Sequence, residues 1–64
     1  MSMQKYVVQQ LNTDNYLNNA NATSFNQADF TPLGTSTVEY DTLAAAQAKA
    51  AQIGPGTGGV PRPH

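Results

Sequence analysis

One segment constrains the fold of this chain more than any other: an alanine-rich stretch bounded by helix-start and helix-stop residues. Asp41 precedes it as an N-cap candidate, because a carboxylate accepts a hydrogen bond from an unpaired backbone N–H and complements the helix dipole. Alanine, the best helix former, fills the interior. Gly54 suits the left-handed position that ends helices, and Pro55 prevents continuation. We therefore predict one helix from about Thr42 to Ile53.

The apolar residues of this segment define one helix face. Leu43, Ala46, Ala50 and Ile53 recur at 3-4-3 spacing. Because two large residues bracket two small ones, another surface can approach the middle of the helix closely. We expect this face to pack on the sheet of the same domain. The alternative is packing against a second copy of the chain.

The N-terminal residues predict a β-hairpin. Residues 5–11 are rich in β-branched and aromatic side chains, with Tyr6 and Val8 on one face and Val7 and Gln9 on the other. Residues 12–15 read Asn-Thr-Asp-Asn, which favours a turn because Asn and Asp tolerate positive φ. The return strand then begins at residues 16–17.

The middle of the chain predicts one more strand. A polar loop without periodicity covers residues 18–24, and residues 31–34 read Thr-Pro-Leu-Gly, a turn signal. Alternation resumes at residues 35–40, with Val38 and Tyr40 on one side. We predict that this third strand leads directly into the helix.

These elements predict an α+β fold: a small antiparallel sheet, made of the hairpin plus the third strand, packed on one C-terminal alanine-rich helix and followed by an extended tail. One helix covers only one face of a sheet, so we expect the other face to be bare and available to a partner. The expected core consists of Tyr6, Val8, Leu11, Leu17, Phe25, Phe30, Val38, Leu43 and Ile53.

Residues 55–64 are rich in glycine and proline and are predicted to be a flexible tail after a domain of residues 1–54. Glycine raises the entropic cost of order and proline lacks a backbone donor, so no regular element is expected. Residues 54–59 match G-x-G-x-x-G, but they follow a helix instead of opening one, so no dinucleotide site is predicted. Val60, Pro61, Arg62 and Pro63 form either a short extended docking peptide or part of a disordered tail.

The amino-acid composition argues against a catalytic or metal-binding function. The 64 residues include no cysteine, and His64, the single histidine, is the last residue, so we expect no disulfide, no metal site and no oriented catalytic base. Asp14 reads as a turn residue and Asp41 as a helix cap. We expect no enzyme and no cofactor. A domain this small is often supplemented by self-association or docking.

Charge and hydropathy narrow the class of partner. The sequence contains three basic residues and four acidic ones, so it has no basic patch that could neutralise a run of phosphates. Nucleic acid is therefore not expected as a partner. No apolar run approaches the roughly 20 residues of a membrane span, and the apolar residues that follow residues 1–5 are too few for the hydrophobic region of a signal peptide. We expect a cytoplasmic protein whose partner is another protein, including a second copy. Tyr6, Tyr16 and Tyr40 form either an exposed aromatic patch that binds the partner or the rim of the core.

Three stretches of the chain carry a resemblance to a class of proteins. The pattern of residues 5–8 (Lys-Tyr-Val-Val), 16–17 (Tyr-Leu) and 40–50 (Tyr-Asp to Ala) resembles the small, mostly uncharacterised accessory proteins that bacteriophages encode. In these proteins an N-terminal hairpin and a strand lead into an alanine-rich helix. The resemblance implies a non-enzymatic accessory or assembly component, in the host cytoplasm or in the virion. The alternatives are an inhibitor that binds a host enzyme or defence protein, and an oligomer that binds a small ligand.

Overall fold

The structure, a computed structural model that describes residues 3–64, contains a four-stranded antiparallel sheet with one helix on one face. The predicted α+β class is confirmed. The strands lie in the order β3-β2-β1-β4, and each neighbouring pair is antiparallel. In chain order the elements are β1 (Tyr6–Gln10), β2 (Asn15–Leu17), a short 3-10 helix (Gln27–Asp29), β3 (Phe30–Pro32), α1 (Leu43–Ile53) and β4 (Thr57–Pro61).

The predicted hairpin is confirmed as β1 and β2. A four-residue loop, residues 11–14, joins the two strands, and Asn12 adopts a φ of 64°. The Oγ1 of Thr13 donates to the carbonyl of Gln10 at 2.6 Å and accepts from the N–H of Asn15 at 3.1 Å. These local hydrogen bonds close the turn, as expected for a loop built from Asn, Thr and Asp.

The third strand lies earlier than predicted. Phe30–Pro32 forms β3, whereas residues 35–40 contribute only an isolated bridge between Tyr40 and Tyr6. The turn is displaced accordingly: Gly34 accepts from the N–H of Thr37 at 3.1 Å and donates its own N–H to the Thr37 Oγ1 at 2.9 Å. Threonine side chains that bond nearby backbone compete with strand pairing, which the simple alternation of residue types did not reveal.

The helix is confirmed, but its N-cap is Thr42 instead of Asp41. The Thr42 Oγ1 accepts a hydrogen bond from the N–H of Ala45 at 3.1 Å. Asp41, one residue earlier, instead forms an ion pair with Lys5. Gly54 ends the helix at a φ of 123°, as the stop signal predicted.

The core lies between α1 and one face of the sheet. Three expected members are largely outside it: Leu11, Phe25 and Leu43 are 44%, 46% and 38% exposed. Phe25 covers the core from outside, with its ring 5.4 Å from that of Phe30. The buried cluster consists of Val8, Leu17, Ala22, Phe30, Ala46, Ala50 and Ile53, with Tyr6, Val38 and Tyr40 packed at its margin. The predicted helix face is therefore used within the chain, apart from Leu43.

The C-terminal segment corrects the prediction most clearly. The expectation that residues 55–64 contain no regular element is wrong, because Thr57–Pro61 forms strand β4. This strand pairs along the whole of β1, from Gln10 opposite Thr57 to Tyr6 opposite Pro61. Hydrogen bonds to β1 offset the entropic cost that glycine adds, and this compensation is invisible in the composition of the segment.

Gly59 explains how a glycine-rich strand fits this position. A Cβ at residue 59 would lie 2.7 Å from the backbone nitrogen of Gln47 and 2.9 Å from the carbonyl carbon of Ala46. The absence of a side chain therefore lets the helix lie directly on β4. Small residues on both surfaces bring the two backbones together.

Candidate interaction surface

The three predicted tyrosines do not form one patch. Tyr6 and Tyr40 donate their N–H groups to each other's carbonyls at 2.9 and 2.7 Å, and both are half-buried against the core. Burial raises the pKa of the Tyr40 hydroxyl above its ordinary value. Tyr16 lies opposite Gln9 on the other face of the sheet and is only 7% exposed. Tyr6 and Tyr40 thus rim the core, and a partner-binding role for the three stays a prediction.

The predicted docking peptide begins inside the sheet. Val60 lies opposite Val7 in the β1–β4 ladder, and Pro61 is the exposed last residue of β4. Arg62 donates its backbone N–H to the carbonyl of Lys5 at 2.8 Å. Pro63 follows and is exposed. A role for this segment in binding a partner stays a prediction, but only its end extends beyond the sheet.

Two ion pairs occupy the corner where β1 and β4 meet the loop before the helix. Lys5 contacts Asp41, and Arg62 contacts Glu39, although the Arg62 Nε–H does not make a hydrogen bond there. The hydrogen bond and charge of Lys5 lower the pKa of Asp41, and Asp41 in turn raises the pKa of Lys5. The corner pairs two cations with two anions, so it offers no excess charge to a partner. Across residues 3–64, no three His, Cys, Asp or Glu side chains cluster as a metal site would require.

The helix-free face of the sheet offers less apolar surface than expected. Val7 and Tyr16 lie on this face, yet they are 0% and 7% exposed. Leu11 extends along the same face beside Gly58, where an added Cβ would lie 3.2 Å from the Leu11 Cδ2. Leu11 is a large apolar side chain that stays exposed there. No helix covers this face, but Val7 and Tyr16 are already buried by their neighbours, so Leu11 alone adds little apolar surface.

The two outer strands of the sheet differ in what their backbones present. On β3, Thr31 lies opposite Tyr16 and faces β2, so Phe30 and Pro32 face outward. The N–H of Phe30 is already bonded to the carbonyl of Gln27. Proline has no N–H. The β3 edge therefore has no donor to offer another strand.

The outer edge of β4 is open. Hydrogen bonds from Arg62 to Lys5 and from Leu11 to Gly56 bracket the β1–β4 ladder. In an antiparallel pair, the backbone N–H and C=O groups of successive residues point alternately towards the partner strand and away from it. The even-numbered residues of β4 therefore bond to β1, and the backbone groups of residues 57, 59 and 61 face outward. Within residues 3–64 the N–H groups of Thr57 and Gly59 point away from β1 and have no backbone acceptor in the loops or the helix. We call the outward-facing backbone of these three residues the β4 edge.

A groove runs beside the β4 edge. Its volume is about 440 Å³, and it lies between the strand and the flank of α1 that carries Gln47 and Ala51. Its lining is uncharged throughout: Gln47, Ala50, Ala51, Gly54, Pro55, Thr57, Gly58 and Gly59. We call this the edge groove. An open strand edge beside a groove has the geometry that strand addition uses, with main-chain hydrogen bonds supplying affinity.

The sequence prediction missed the β4 edge because it assigned these residues to a tail. One signal was present: residues 57–60 read Thr-Gly-Gly-Val between Gly56 and Pro61, three residues after the end of a small-residue helix.

Comparison with protein families, with curated proteins and with solved structures finds no match. Among residues 3–64, no helix combines the length and the apolar character needed to cross a membrane.

Proposed function

We propose that this chain is a non-enzymatic accessory or assembly protein of the bacteriophage type, which acts by contact with another protein through the β4 edge. The observation that carries the proposal is the pair of outward N–H groups on Thr57 and Gly59. An unprotected strand edge is a ready template for pairing, and proteins usually block such edges with charge, proline or a covering element. In this fold Pro32 blocks the edge of β3, whereas the edge of β4 is blocked by proline only at its last residue, Pro61.

The positions of the charged and polar side chains support a protein-binding function over a catalytic one. His64 is exposed, and the carboxylates of Glu39 and Asp41 are engaged with Arg62 and Lys5. The edge groove is lined by uncharged residues, which suits the backbone of an extended segment better than a charged substrate. The site of action in the proposal is the host cytoplasm or the virion.

The two alternative functions stay predictions. An inhibitor of a host enzyme or defence protein is often expected to have an acidic surface, whereas Glu39 and Asp41 are paired with cations. A small-ligand-binding oligomer would use a more enclosed site than the edge groove, which is open along the strand. Neither is favoured by a specific observation.

Site-specific photo-cross-linking tests the proposal. A photoreactive amino acid replaces Ala51, which lines the edge groove, in cells that make the protein. The control position is Ala45, which is exposed on the same helix but does not line the groove. We expect a cross-linked protein at residue 51 and none at residue 45, and mass spectrometry of the adduct distinguishes a virion component, a host enzyme and a second copy. Absence of adducts at residue 51 would count against contact at the β4 edge.

A further inference from the structure

We infer that the β4 edge binds the β4 edge of a second copy, joining the two four-stranded sheets into one continuous antiparallel sheet about a two-fold axis. This names the partner of the surface described above and so rests on the proposed function. The β3 edge cannot serve, because Phe30 uses its N–H internally and Pro32 has none.

The backbone groups of the β4 edge are self-complementary. Thr57 and Gly59 each present an outward N–H and an outward C=O. When two β4 strands pair antiparallel, Thr57 of each copy lies opposite Gly59 of the other. Residues opposite each other in this way exchange two hydrogen bonds, so both pairs satisfy every outward group of the two residues.

Proline limits this pairing at both ends. Pro61 faces outward but has no N–H, and the strand of the second copy begins only at Thr57, after the turn at residues 55–56. The ladder therefore stops after the two bonded pairs. Because each copy has one open edge and one blocked edge, the two-fold contact closes on itself and does not continue into a fibre.

Side chains at the centre of the register, and the net charge, do not oppose the contact. The register places Gly58 opposite Gly58 of the second copy, where there is no side chain to collide. The flanking edge groove is uncharged, and each chain has a net charge of −1, so the repulsion between copies is small. Every copy presents the same outward N–H and C=O groups on Thr57 and Gly59. A second copy is therefore complementary to the first.

Hydrogen exchange combined with sedimentation tests the inference on the unmodified chain. In a dilution series we expect the sedimenting mass to double as concentration rises. The amides of Thr57 and Gly59 should gain protection from exchange over the same concentrations. The amide of Gly58 serves as an internal control, because it faces Gln9 on β1 and should be protected throughout.

A matched pair of variants tests the outward N–H directly. Thr57→Pro removes this donor and places the proline ring where the second strand would lie. Thr57→Val keeps the backbone donor but loses the side-chain hydroxyl, as Thr57→Pro also does; the single O–H of this hydroxyl lies within hydrogen-bonding distance of the carbonyls of Ala50 and Gly54. We expect Thr57→Pro to weaken dimerisation about tenfold or more, and Thr57→Val to leave it nearly unchanged. Circular dichroism confirms that each variant folds, and the exchange measurement needs no variant.

Three results would overturn the inference. The first is a chain that stays monomeric at millimolar concentration while the Gly59 amide exchanges freely. The second is a dimer in which this amide still exchanges freely, which would place the interface elsewhere. The third is protection of Gly59 only when an extended peptide of unrelated sequence is added. None of these contradicts the proposed function, which fails only if cross-linking at Ala51 finds no protein.

Discussion

Gly58 and Gly59 are neighbours on one strand, and their surroundings differ completely. Gly59 faces α1, where the backbone of Gln47 leaves no room for a methyl group. Gly58 faces the opposite side of the sheet, where a Cβ would meet only the flexible end of Leu11. Neither glycine has a positive φ, so the contrast comes from packing and not from backbone conformation.

We predict that Gly59→Ala destabilises the fold and that Gly58→Ala does so much less. A methyl group at residue 59 would push against helix backbone, and overpacking of this kind costs about 1–3 kcal/mol. At residue 58 the Leu11 side chain can move aside, so a cost below about 0.5 kcal/mol is expected. Urea unfolding followed by circular dichroism measures both. Equal losses would show that α1 does not lie against Gly59.

We predict that the carboxyl of Asp41 titrates below its ordinary pKa of 3.8, because Lys5 donates a hydrogen bond to it and attracts its charge. The associated stabilisation is present above the unfolded pKa and is lost as the pH falls through the lower folded pKa. Both side chains are exposed, so the effect on stability is small and is screened by salt. Carboxyl NMR titration should show the pKa returning towards 3.8 in Lys5→Ala. Lys49→Ala should leave it unchanged, since Lys49 bonds to Ala22 instead.

At the level of elements, α1 and β4 depend on each other. The helix buries Ala46 and Ala50 against the sheet, and Gly54 and Gly56, both at positive φ, return the chain so that β4 lies beneath the helix. The Thr57 hydroxyl joins the two, because its single O–H lies within hydrogen-bonding distance of the Ala50 and Gly54 carbonyls at the end of the helix. The last strand therefore completes the core that the helix begins.

We predict that deletion of residues 55–64 unfolds the chain. The deletion removes the strand that pairs with β1 from Tyr6 to Gln10 and exposes the small-residue face of α1. Deletion of residues 63–64 alone is the control, because Pro63 and His64 are exposed and lie outside β4. Amide NMR spectra would show dispersed signals for the control and collapsed signals for the longer deletion. A dispersed spectrum after the longer deletion would mean that the predicted domain of residues 1–54 folds without the C-terminal segment.

For the molecule as a whole, the small size limits the stability of the folded chain, and self-association would increase it. A chain of 64 residues buries a small share of its surface, and its stability is correspondingly modest. A second copy at the β4 edge would extend the sheet and satisfy the outward groups of Thr57 and Gly59. Binding between folded copies stabilises the folded state by mass action.

We predict that the melting temperature of the chain rises with its concentration. Above the dissociation constant of the dimer, a tenfold increase stabilises the dimer by roughly 1.4 kcal/mol, which corresponds to a rise of a few degrees. Differential scanning calorimetry at several concentrations measures this rise. In Thr57→Pro the rise should begin only at concentrations about tenfold higher or more, whereas Thr57→Val should behave like the unmodified chain. A flat response in the unmodified chain would argue against the dimer.

The sequence by itself determined the elements whose signals are local. The helix is specified by its alanine interior and by Gly54, and the hairpin by its turn at Asn12, because these depend on backbone preferences within a few residues. The N-cap was misplaced by one residue, since Asp41 and Thr42 are both good caps and only the contact with Lys5 distinguishes them.

Only the tertiary structure decided what the C-terminal segment is. Glycine and proline predict a flexible chain wherever no partner strand is known, and the partner of β4 lies at the other end of the sequence. The same long-range pairing decides which N–H groups of residues 57–61 face β1 and which face outward. The β4 edge, and with it the candidate site, thus depends on a register that no local pattern encodes.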